Sequence, residues 1–274
     1  MDIKCIALDL DRTTLNAQSR LSDGNRAALE FASSRGVHIV IASGRPLGSL
    51  PPDVLSVPGV EYAITSNGAA VYHLPTQKRL AHYTLSESAV DHILQLTADL
   101  PYELETFIDG RAYAGAAFLS SPTSFGAPET SVGYFQRTRT PVENIRKFMQ
   151  GHLSALESID LILTKGADLP ALRHLFQDRL SDCYITSSVP HLLEISDQHC
   201  GKHTGVQAIA QELGLAPSQI AAFGDGDNDV DMLQYVGCGI AVANASPACL
   251  AAADKITGHY DKDGVAAAIY ELLN

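Results

Sequence analysis

Two carboxylates at the end of a short apolar segment constrain the fold of this chain more than any other feature. Residues 5–8 read Cys-Ile-Ala-Leu, and Asp9 and Asp11 follow with one residue between them. An apolar run of this length, bounded by polar residues, is typical of a strand that is buried on both faces of a parallel sheet. Ligands of open α/β sheets bind beyond the carboxyl ends of such strands. The sequence therefore predicts a ligand site at the end of the first strand.

The spacing of Asp9 and Asp11 indicates a cation site. Side chains at positions i and i+2 of an extended segment point to the same side, so both carboxylates can face one small volume. Two anions so close repel each other unless a cation joins them or one of them is protonated. Mg2+ prefers oxygen ligands of this kind. Taken alone, the pattern is explained about as well by an ordinary helix-capping or turn role for the two aspartates.

The composition excludes several classes of protein. With 46% hydrophobic and 18% charged residues, the 274-residue chain resembles a globular protein large enough for one or two domains. Its net charge of -12 argues against binding to nucleic acid, which requires an excess of basic residues. We expect neither a membrane-spanning segment nor a signal peptide, because no apolar run approaches ~20 residues and the first strand begins at once. The five cysteines form no C-x-x-C pair and indicate reduced thiols in a cytoplasmic protein.

Both ends of the chain alternate helical and apolar strand patterns, which predicts right-handed crossovers and a parallel sheet. The predicted helices cover residues 25–35, 202–213, 247–253 and 264–273, and a further helix is predicted to end at about residue 235. The predicted strands cover residues 37–42, 62–65, 220–223 and 238–242. The fold class that follows is α/β, with a Rossmann-like parallel sheet as its core.

The middle of the chain lacks this strict alternation. Strands are predicted over 81–85, 102–108, 160–164, 183–186 and 192–195, helices over 86–98, 141–150 and 168–180, and an irregular stretch over 120–132. We interpret this block as a separate α+β domain inserted into the first one. The predicted organisation is a core of residues 1–80 and 197–274, with the inserted domain over residues 81–196.

A second acidic segment begins at Asp225 and directly follows a predicted strand. The spacing of Asp225, Asp227 and Asp229 resembles a calcium-binding loop, but Val230 occupies the place of the required glycine and position 236 lacks the closing Glu. A plain acidic turn is the simpler alternative, although carboxylates so crowded repel each other unless something offsets their charge. Because this segment also follows a strand, we expect its carboxylates at the same sheet edge as Asp9.

Two further features can contribute groups that bind phosphate. Ser43 and Gly44 follow the strand predicted over 37–42, where a hydroxyl and free backbone N–H groups can hold a phosphate oxygen. A Ser-Gly pair is also a common turn. Lys202 begins a predicted helix. Taken alone, a lysine in such a position is about three times more often solvated than buried in a site.

These motifs together resemble the haloacid dehalogenase (HAD) superfamily. The motifs are, in chain order, Asp9-Leu-Asp11-x-Thr13, Ser43-Gly44-Arg45, Lys202 and Gly224-Asp225-x-x-Asn228-Asp229. More narrowly, the chain resembles the Cof-like (class IIB) phosphatases, with supporting matches over 66–69, 239–245 and 263–265. The resemblance covers both core segments, and the inserted block occupies the position of the type C2 cap of that family.

The resemblance implies a Mg2+-dependent phosphatase that acts on small phosphorylated metabolites, above all sugar phosphates. Asp9 would be the nucleophile that forms an aspartyl-phosphate, and Asp11 would be the general acid and base. The residues implied to hold the metal are Asp9, Asp11 through its carbonyl, Asp225 and Asp229. The residues implied to bind the phosphate are Ser43, Gly44, Lys202 and Asn228. The cap would close over the core, exclude water and select the substrate.

Arg12 departs from the family pattern, which has Gly after the second aspartate. Gly allows unusual backbone angles, so Arg12 either adopts a permitted conformation or is strained by ~1–3 kcal/mol. Its guanidinium could instead bind a second anionic group of the substrate, and Arg45 is a further candidate for a substrate contact. Two alternative functions stay open: a phosphomutase on the same fold, and a non-catalytic phosphometabolite-binding protein whose site Arg12 has weakened.

Overall fold

The computed structural model describes residues 2–274, which form fourteen strands and eleven α-helices. The strands are β1 Cys5–Leu8, β2 His38–Ala42, β3 Val60–Thr65, β4 Ala70–His73, β5 Lys78–His82, β6 Glu103–Ile108, β7 Arg111–Gly115, β8 Arg139–Val142, β9 Ser158–Ile162, β10 Cys183–Thr186, β11 Leu192–Asp197, β12 Ile220–Gly224, β13 Cys238–Ala241 and β14 Lys255–Ile256. The helices are α1 Asp23–Ser34, α2 Pro52–Leu55, α3 Glu87–Leu96, α4 Ala116–Ser120, α5 Glu129–Thr138, α6 Ile145–Gln150, α7 Leu169–Arg179, α8 Lys202–Leu213, α9 Val230–Tyr235, α10 Pro247–Ala252 and α11 Gly264–Leu273. Within residues 2–274, no helix has the length and apolar character needed to cross a membrane.

The chain divides into two compact units. The first contains the chain up to Arg45 together with Leu50–His82 and Gly201–Asn274, and the second contains Pro46–Ser49 and Tyr83–Cys200. Each unit is built on its own sheet. The C-terminal part of the chain therefore returns to the unit in which the chain begins.

The first unit contains an eight-stranded sheet in the order β14-β13-β12-β1-β2-β3-β4-β5. Neighbouring strands from β14 to β3 are parallel, whereas β4 pairs antiparallel with both β3 and β5. All four residues of β1 are buried, as expected for a central strand that is covered on both faces. The predicted α/β class with a mainly parallel sheet is confirmed.

Local sequence signals set the ends of helices in this unit. The Ser22 hydroxyl accepts a hydrogen bond from the backbone N of Asn25 at 3.1 Å and caps the start of α1. Gly36 and Gly214 follow α1 and α8 with φ angles of 77° and 66°, which Gly adopts without a steric penalty. The C-terminal ends predicted for these two helices, at residues 35 and 213, agree with the structure to within one residue.

The second unit contains a six-stranded sheet in the order β10-β11-β9-β6-β7-β8, antiparallel except between β7 and β8. Apolar side chains on one face of this sheet pack against α3, α6 and α7. This core includes Leu104, Ile159, Leu161, Leu193 and Ile195 from the sheet and Val90, Ile93, Met149 and Phe176 from the helices. The unit therefore has a hydrophobic core of its own.

A row of buried carboxylates occupies the other face of the second sheet. Asp160 on β9 is the register partner of Glu105 on β6 and of Glu194 on β11. All three side chains are buried. Arg139 pairs with Glu105, with Nε 2.8 Å from Oε2 and Nη2 2.7 Å from Oε1. Arg139 is thus paired with one of the three buried carboxylates on this face.

Three expectations for the middle of the chain were wrong in position. The strand predicted over 81–85 is β5, three residues earlier, and it pairs with β4 in the first sheet. The helix predicted over 141–150 begins only at α6, because Arg139–Val142 forms edge strand β8, where a proline is tolerated. The stretch predicted to be irregular contains the start of α5.

Strands β4 and β7 were not predicted, although both belong to hairpins. Asp109 and Gly110 connect β6 to β7 with φ angles of 46° and 72°, and an Asp-Gly pair is a strong signal for such a turn. Ser66, Asn67 and Gly68 connect β3 to β4 with φ angles of 50°, 52° and 95°. These turn residues were therefore the signal that could have placed both strands.

Candidate active site

Parallel pairing places the predicted site residues at one edge of the first sheet. Leu8 and Phe223, near the ends of β1 and β12, are register partners, and β2 lies on the other side of β1. The backbone N of Asp9 donates a hydrogen bond to the carbonyl oxygen of Phe223 at 3.0 Å. Asp9, Asp225 and Ser43 therefore leave neighbouring strands at the same edge, where ligands of such sheets bind.

Three carboxylates form a buried cluster at this edge. Asp9, Asp225 and Asp229 each offer an oxygen within 4.8 Å of the others, and they are 6%, 5% and 0% exposed. Within residues 2–274, Oδ2 of Asp9 accepts no hydrogen bond, and Oδ2 of Asp225 lies 3.7 Å from Nε of Arg12, beyond hydrogen-bond distance. Carboxylate oxygens with free lone pairs are the ligands that hard divalent cations prefer. The donor set therefore fits such a cation.

A buried lysine offsets part of this negative charge. Nζ of Lys202 donates to Oδ1 of Asp9 at 2.7 Å and to Oδ1 of Asp229 at 2.6 Å. The Lys202 side chain is 0% exposed. The residue before it, Gly201, has a φ angle of 134° and donates its backbone N–H to the carbonyl oxygen of Asn67 at 2.7 Å. This turn directs the first residue of α8 into the cluster.

Two glycines, Gly68 and Gly205, leave the space that α8 needs at its N-terminal end. Gly68 has a φ angle of 95°, and a Cβ on it would lie 2.2 Å from the carbonyl oxygen of Gly201. Within α8, a Cβ on Gly205 would lie 2.5 Å from the Ile64 side chain. Both positions therefore require glycine for steric reasons.

The cluster shifts the protonation equilibria of its members. Burial raises the pKa of Asp9 well above its usual value, Lys202 opposes this, and Asp229 and Asp225 add to it. Burial lowers the pKa of Lys202, but the Asp229 and Asp9 carboxylates outweigh it, so the pKa of Lys202 is raised. Burial and Asp229 raise the pKa of Asp225 to about 7, against the effect of Arg12. Protein groups thus balance the negative charge only in part, a condition that favours cation binding.

Asp229 holds the acidic loop in place. Its Oδ2 accepts hydrogen bonds from the backbone N of Asp225 at 2.9 Å and of Gly226 at 3.0 Å, while its Oδ1 accepts from Lys202. The Thr13 hydroxyl donates to Oδ1 of Asp225 at 3.0 Å. Asp229 therefore orients Asp225, and its own predicted contact with a metal stays a prediction.

Asp11 and Arg45 form a bidentate ion pair. Nε of Arg45 lies 2.7 Å from Oδ2 of Asp11, and Nη2 lies 2.5 Å from Oδ1. The Arg45 side chain is 9% exposed, and that of Asp11 is 45% exposed. The carboxylate predicted to act as general acid and base is thus half accessible and is oriented by a buried guanidinium.

A chain of hydrogen bonds joins two of the residues predicted to bind phosphate. The Ser43 hydroxyl accepts a bond from the backbone N of Arg45 at 3.1 Å, which wraps the backbone around Gly44. The backbone N of Asn67 donates to the Ser43 carbonyl oxygen at 3.2 Å, and Nδ2 of Asn228 donates to Oδ1 of Asn67 at 2.9 Å. Ser43 and Asn228 are both buried. The site residues from β2 and from the acidic loop are therefore linked.

Arg12 adopts the backbone conformation for which Gly is suited. Its φ and ψ angles are 60° and 13°, in the left-handed region that costs other residues about 1–2 kcal/mol. Nδ2 of Asn244 donates to the Arg12 carbonyl oxygen at 2.9 Å. The side chain is 46% exposed, with Nε 3.7 Å from Oδ2 of Asp225. The sequence allowed either a permitted or a strained backbone conformation at Arg12, and the structure has the strained one.

The sequence analysis assigned no role to two residues that form hydrogen bonds with the predicted site residues. Thr13 and Asn67 bond to Asp225 and Asn228, respectively. Thr13 belongs to the first motif, so its place in the chain was a usable signal. Asn67 precedes Gly68 in a turn, and Asn is one of the few residues that tolerate a left-handed conformation there.

A family model of haloacid dehalogenase-like hydrolases matches residues 6–269. The chain belongs to this family. The resemblance to the HAD superfamily and to its Cof-like, class IIB branch is therefore confirmed. The predicted enzyme class, a HAD-type phosphatase, is confirmed by this membership together with the named relatives.

Several known proteins resemble this chain along its whole length. The 5-amino-6-(5-phospho-D-ribitylamino)uracil phosphatase YcsE of Bacillus subtilis is 28% identical over 272 residues, covering 98% of this chain and 95% of the relative. The structure of a haloacid dehalogenase-like hydrolase from B. subtilis is 25% identical, with a TM-score of 0.81 over 99% of this chain and 100% of that chain. The structure of the HAD subclass IIB sugar phosphatase BT4131 is 19% identical, with a TM-score of 0.82 over 98% of both chains, and shows the shared fold.

Proposed function

We propose that this chain hydrolyses small phosphate monoesters, above all sugar phosphates, in a Mg2+-dependent reaction through an aspartyl-phosphate on Asp9. The observation that carries the proposal is the buried cluster in which Lys202 holds Oδ1 of Asp9 while Oδ2 accepts no hydrogen bond within residues 2–274. Phosphoryl transfer depends mainly on positioning the nucleophile and on neutralising charge. The fixed carboxylate and the buried cation support both requirements.

Asp9 is the nucleophile in this proposal. Its free oxygen attacks phosphorus, the bond between phosphorus and the ester oxygen breaks, and the phosphoryl group is held on Asp9. Lys202 favours the ionised form of the carboxylate against the effect of burial and fixes its orientation through the bond to the other oxygen. The Asp9 backbone is fixed in turn, because its carbonyl oxygen accepts a hydrogen bond from the Thr14 hydroxyl at 2.6 Å.

Asp11 moves the protons. It donates a proton to the departing alkoxide and later removes one from the water that attacks the aspartyl-phosphate, which releases inorganic phosphate and restores Asp9. The proposal requires that Asp11 keep access to the substrate, and its half-exposed carboxylate is consistent with this. Arg45 is the positioning residue that orients it.

Mg2+ would be held by Asp9 and Asp225, with the Asp11 carbonyl as a further ligand and Asp229 in support. When bound, the ion supplies positive charge that reduces the repulsion between the phosphate and the Asp9 carboxylate. Ser43, the backbone at Gly44, Lys202 and Asn228 would bind the phosphate oxygens. Burial of Ser43 and Asn228 supports this role, because buried donors bind anions more strongly than donors in water.

The proposed substrate class is supported by the relatives. YcsE is named for a phosphorylated ribityl compound, and BT4131 is named a sugar phosphatase. Both names describe phosphate esters of small polyhydroxylated molecules. We therefore place sugar and polyol phosphates first among the substrates to be tested.

The test is phosphate release from p-nitrophenyl phosphate and from a panel of sugar phosphates. We expect turnover with Mg2+, loss of turnover with EDTA, and loss of turnover in Asp9→Asn. The exposed Asp23 on α1 supplies the control Asp23→Asn, which removes the same charge away from the cluster. Turnover that is insensitive to EDTA contradicts the proposal. Isomerised sugar phosphate without phosphate release indicates a phosphomutase instead.

A further inference from the structure

The guanidinium of Arg12 is a charged group that the proposed reaction does not use. It lies half exposed beside Asp225, with Nε 3.7 Å from Oδ2, too far for a hydrogen bond. Within residues 2–274, its side chain makes no hydrogen bond. A guanidinium has five N–H donors in a rigid fork that matches carboxylate and phosphate groups. Arg12 therefore presents unused donors at the edge of the site.

The backbone holds this guanidinium at the site at an energetic cost. Arg12 has a φ angle of 60°, in the region that favours Gly, and its carbonyl oxygen is held by Nδ2 of Asn244 at 2.9 Å. Strained positions of this kind are concentrated at functional sites. The next residue, Thr13, is fixed by its bond to Asp225. The guanidinium therefore starts from a backbone that is anchored on both sides.

Arg12 is the neighbour in the chain of one of the two proposed catalytic residues. It directly follows Asp11, which in the proposed function donates a proton to the departing oxygen. The transferred phosphate already has Lys202, Ser43 and Gly44 as proposed partners, so an additional guanidinium is best matched to a different anion. A divalent cation held by Asp9 and Asp225 would also weaken the attraction of Asp225 for Arg12. The N–H donors of the Arg12 guanidinium would then be available to such an anion.

We propose that Arg12 forms a subsite for a second anionic group on the substrate, a phosphate or a carboxylate, and that the enzyme thereby selects phosphate esters that carry one. This inference rests on the proposed function, since the second anion is defined relative to the phosphate that Asp9 receives. Arg12 is then a specificity residue. Its role depends on both its charge and its planar fork.

The first test compares matched substrates that differ in one anionic group. The pairs are glucose 1,6-bisphosphate with glucose 6-phosphate, and 3-phosphoglycerate with glycerol 3-phosphate. The variants are Arg12→Asn, which tolerates the left-handed backbone without the charge, and Arg12→Lys, which keeps the charge without the fork. Arg20→Gln, at an exposed loop arginine, is the control for loss of one positive charge.

In the wild type, we expect the substrate with the second anion to have the higher kcat/KM in at least one pair. In Arg12→Asn, the ratio of the two kcat/KM values for that pair should fall about tenfold to a hundredfold, the range for a hydrogen bond between charged groups. In Arg12→Lys, this ratio should lie between those of the wild type and Arg12→Asn. Arg20→Gln should keep the wild-type ratio. An unchanged ratio in Arg12→Asn overturns the inference.

The second test measures binding without turnover. Calorimetry of Asp9→Asn with Mg2+ should give a lower Kd for glucose 1,6-bisphosphate than for glucose 6-phosphate, and adding Arg12→Asn should remove most of that difference. Equal Kd values in the protein that retains Arg12 overturn the inference. Absence of turnover of any ester, p-nitrophenyl phosphate included, overturns the proposed function alone, because the comparison of Kd values still decides whether Arg12 binds an anion.

Discussion

Replacing Lys202 with methionine removes the cation from the buried cluster and leaves a side chain of similar length. Nζ of Lys202 lies 2.7 Å from Asp9 and 2.6 Å from Asp229, and the lysine and Asp229 side chains are 0% exposed. At an effective dielectric constant of about 20, each contact corresponds to about 6 kcal/mol of attraction. The desolvation of three charges and the repulsion between carboxylates cancel much of this. Breaking buried ion pairs costs about 3–5 kcal/mol, and we expect a loss in that range.

The assay is thermal unfolding without metal. For a chain of this size, a loss of 3–5 kcal/mol corresponds to a fall in Tm of about 6–20 °C. The control is Lys4→Met, because the Lys4 ion pair with Asp2 is exposed, with side chains 47% and 73% accessible. Removal of that pair should cost at most about 1 kcal/mol.

Two further measurements test the electrostatic reasoning. The double variant Lys202→Met with Asp229→Asn should lose less stability than the sum of the single variants, because the second change removes a carboxylate that the first left unpaired. Mg2+ should raise the Tm of Lys202→Met by more than that of the wild type, since the variant has a larger excess of negative charge. The reasoning is refuted if the Tm of Lys202→Met falls no further than the Tm of Lys4→Met. It is also refuted if the stability losses of Lys202→Met and Asp229→Asn are additive.

Two other perturbations have definite expected outcomes. Burial, with Glu194 and Glu105, raises the pKa of Asp160 well above its usual value. Between about pH 4 and the raised pKa, the folded state holds a proton that the unfolded state releases, so stability falls with rising pH by up to about 1.4 kcal/mol per unit. Asp160→Asn should flatten this slope, and parallel unfolding profiles from pH 4.5 to 7.5 for variant and wild type would contradict it. Gly68→Ala should cost more than about 2 kcal/mol and lower kcat, because its Cβ would lie 2.2 Å from a backbone oxygen. The control Gly36→Ala has a φ angle of 77° and no atom within 4 Å of the new Cβ, so it should cost only about 1 kcal/mol. Equal losses of unfolding free energy in Gly68→Ala and Gly36→Ala would rule out the steric argument.

The parallel sheet was predictable because its strands are apolar on both faces. The runs before Asp9 and Asp225 differ in composition from everything around them, and this contrast gave the order of elements in the first unit. Strand β5 was misplaced because it is an exposed edge strand that contains Lys78 and Arg79. Binary patterns cannot locate such a strand, since neither of its faces is consistently buried.

The candidate site was predictable in part. The meeting of Asp9 and Asp225 follows from two strand ends at one sheet edge, without reference to any relative. The burial of Lys202 does not follow from its local sequence. It depends on the turn at Gly201 and on the approach of Gly68, which are tertiary contacts. The family resemblance supplied this residue, and general burial preferences would have rejected it.

The pairing of Arg45 with Asp11 was also beyond local sequence. The two residues come from different strand ends, and nothing in their spacing indicates a bidentate contact. The left-handed backbone of Arg12 was one of two possibilities that the sequence allowed, because the steric preference for Gly at that position came from the family pattern. Side-chain pairing across strand ends thus required the three-dimensional structure.

The central claim is that an Asp9 oxygen attacks phosphorus, and trapping the covalent species tests it most directly. The protein is mixed with a substrate labelled with 32P and with Mg2+, quenched in acid within one turnover, and digested for peptide analysis. We predict a transient label on the peptide that contains Asp9, and no label in Asp9→Asn. Hydrolysis that proceeds without any label on that peptide would contradict the account.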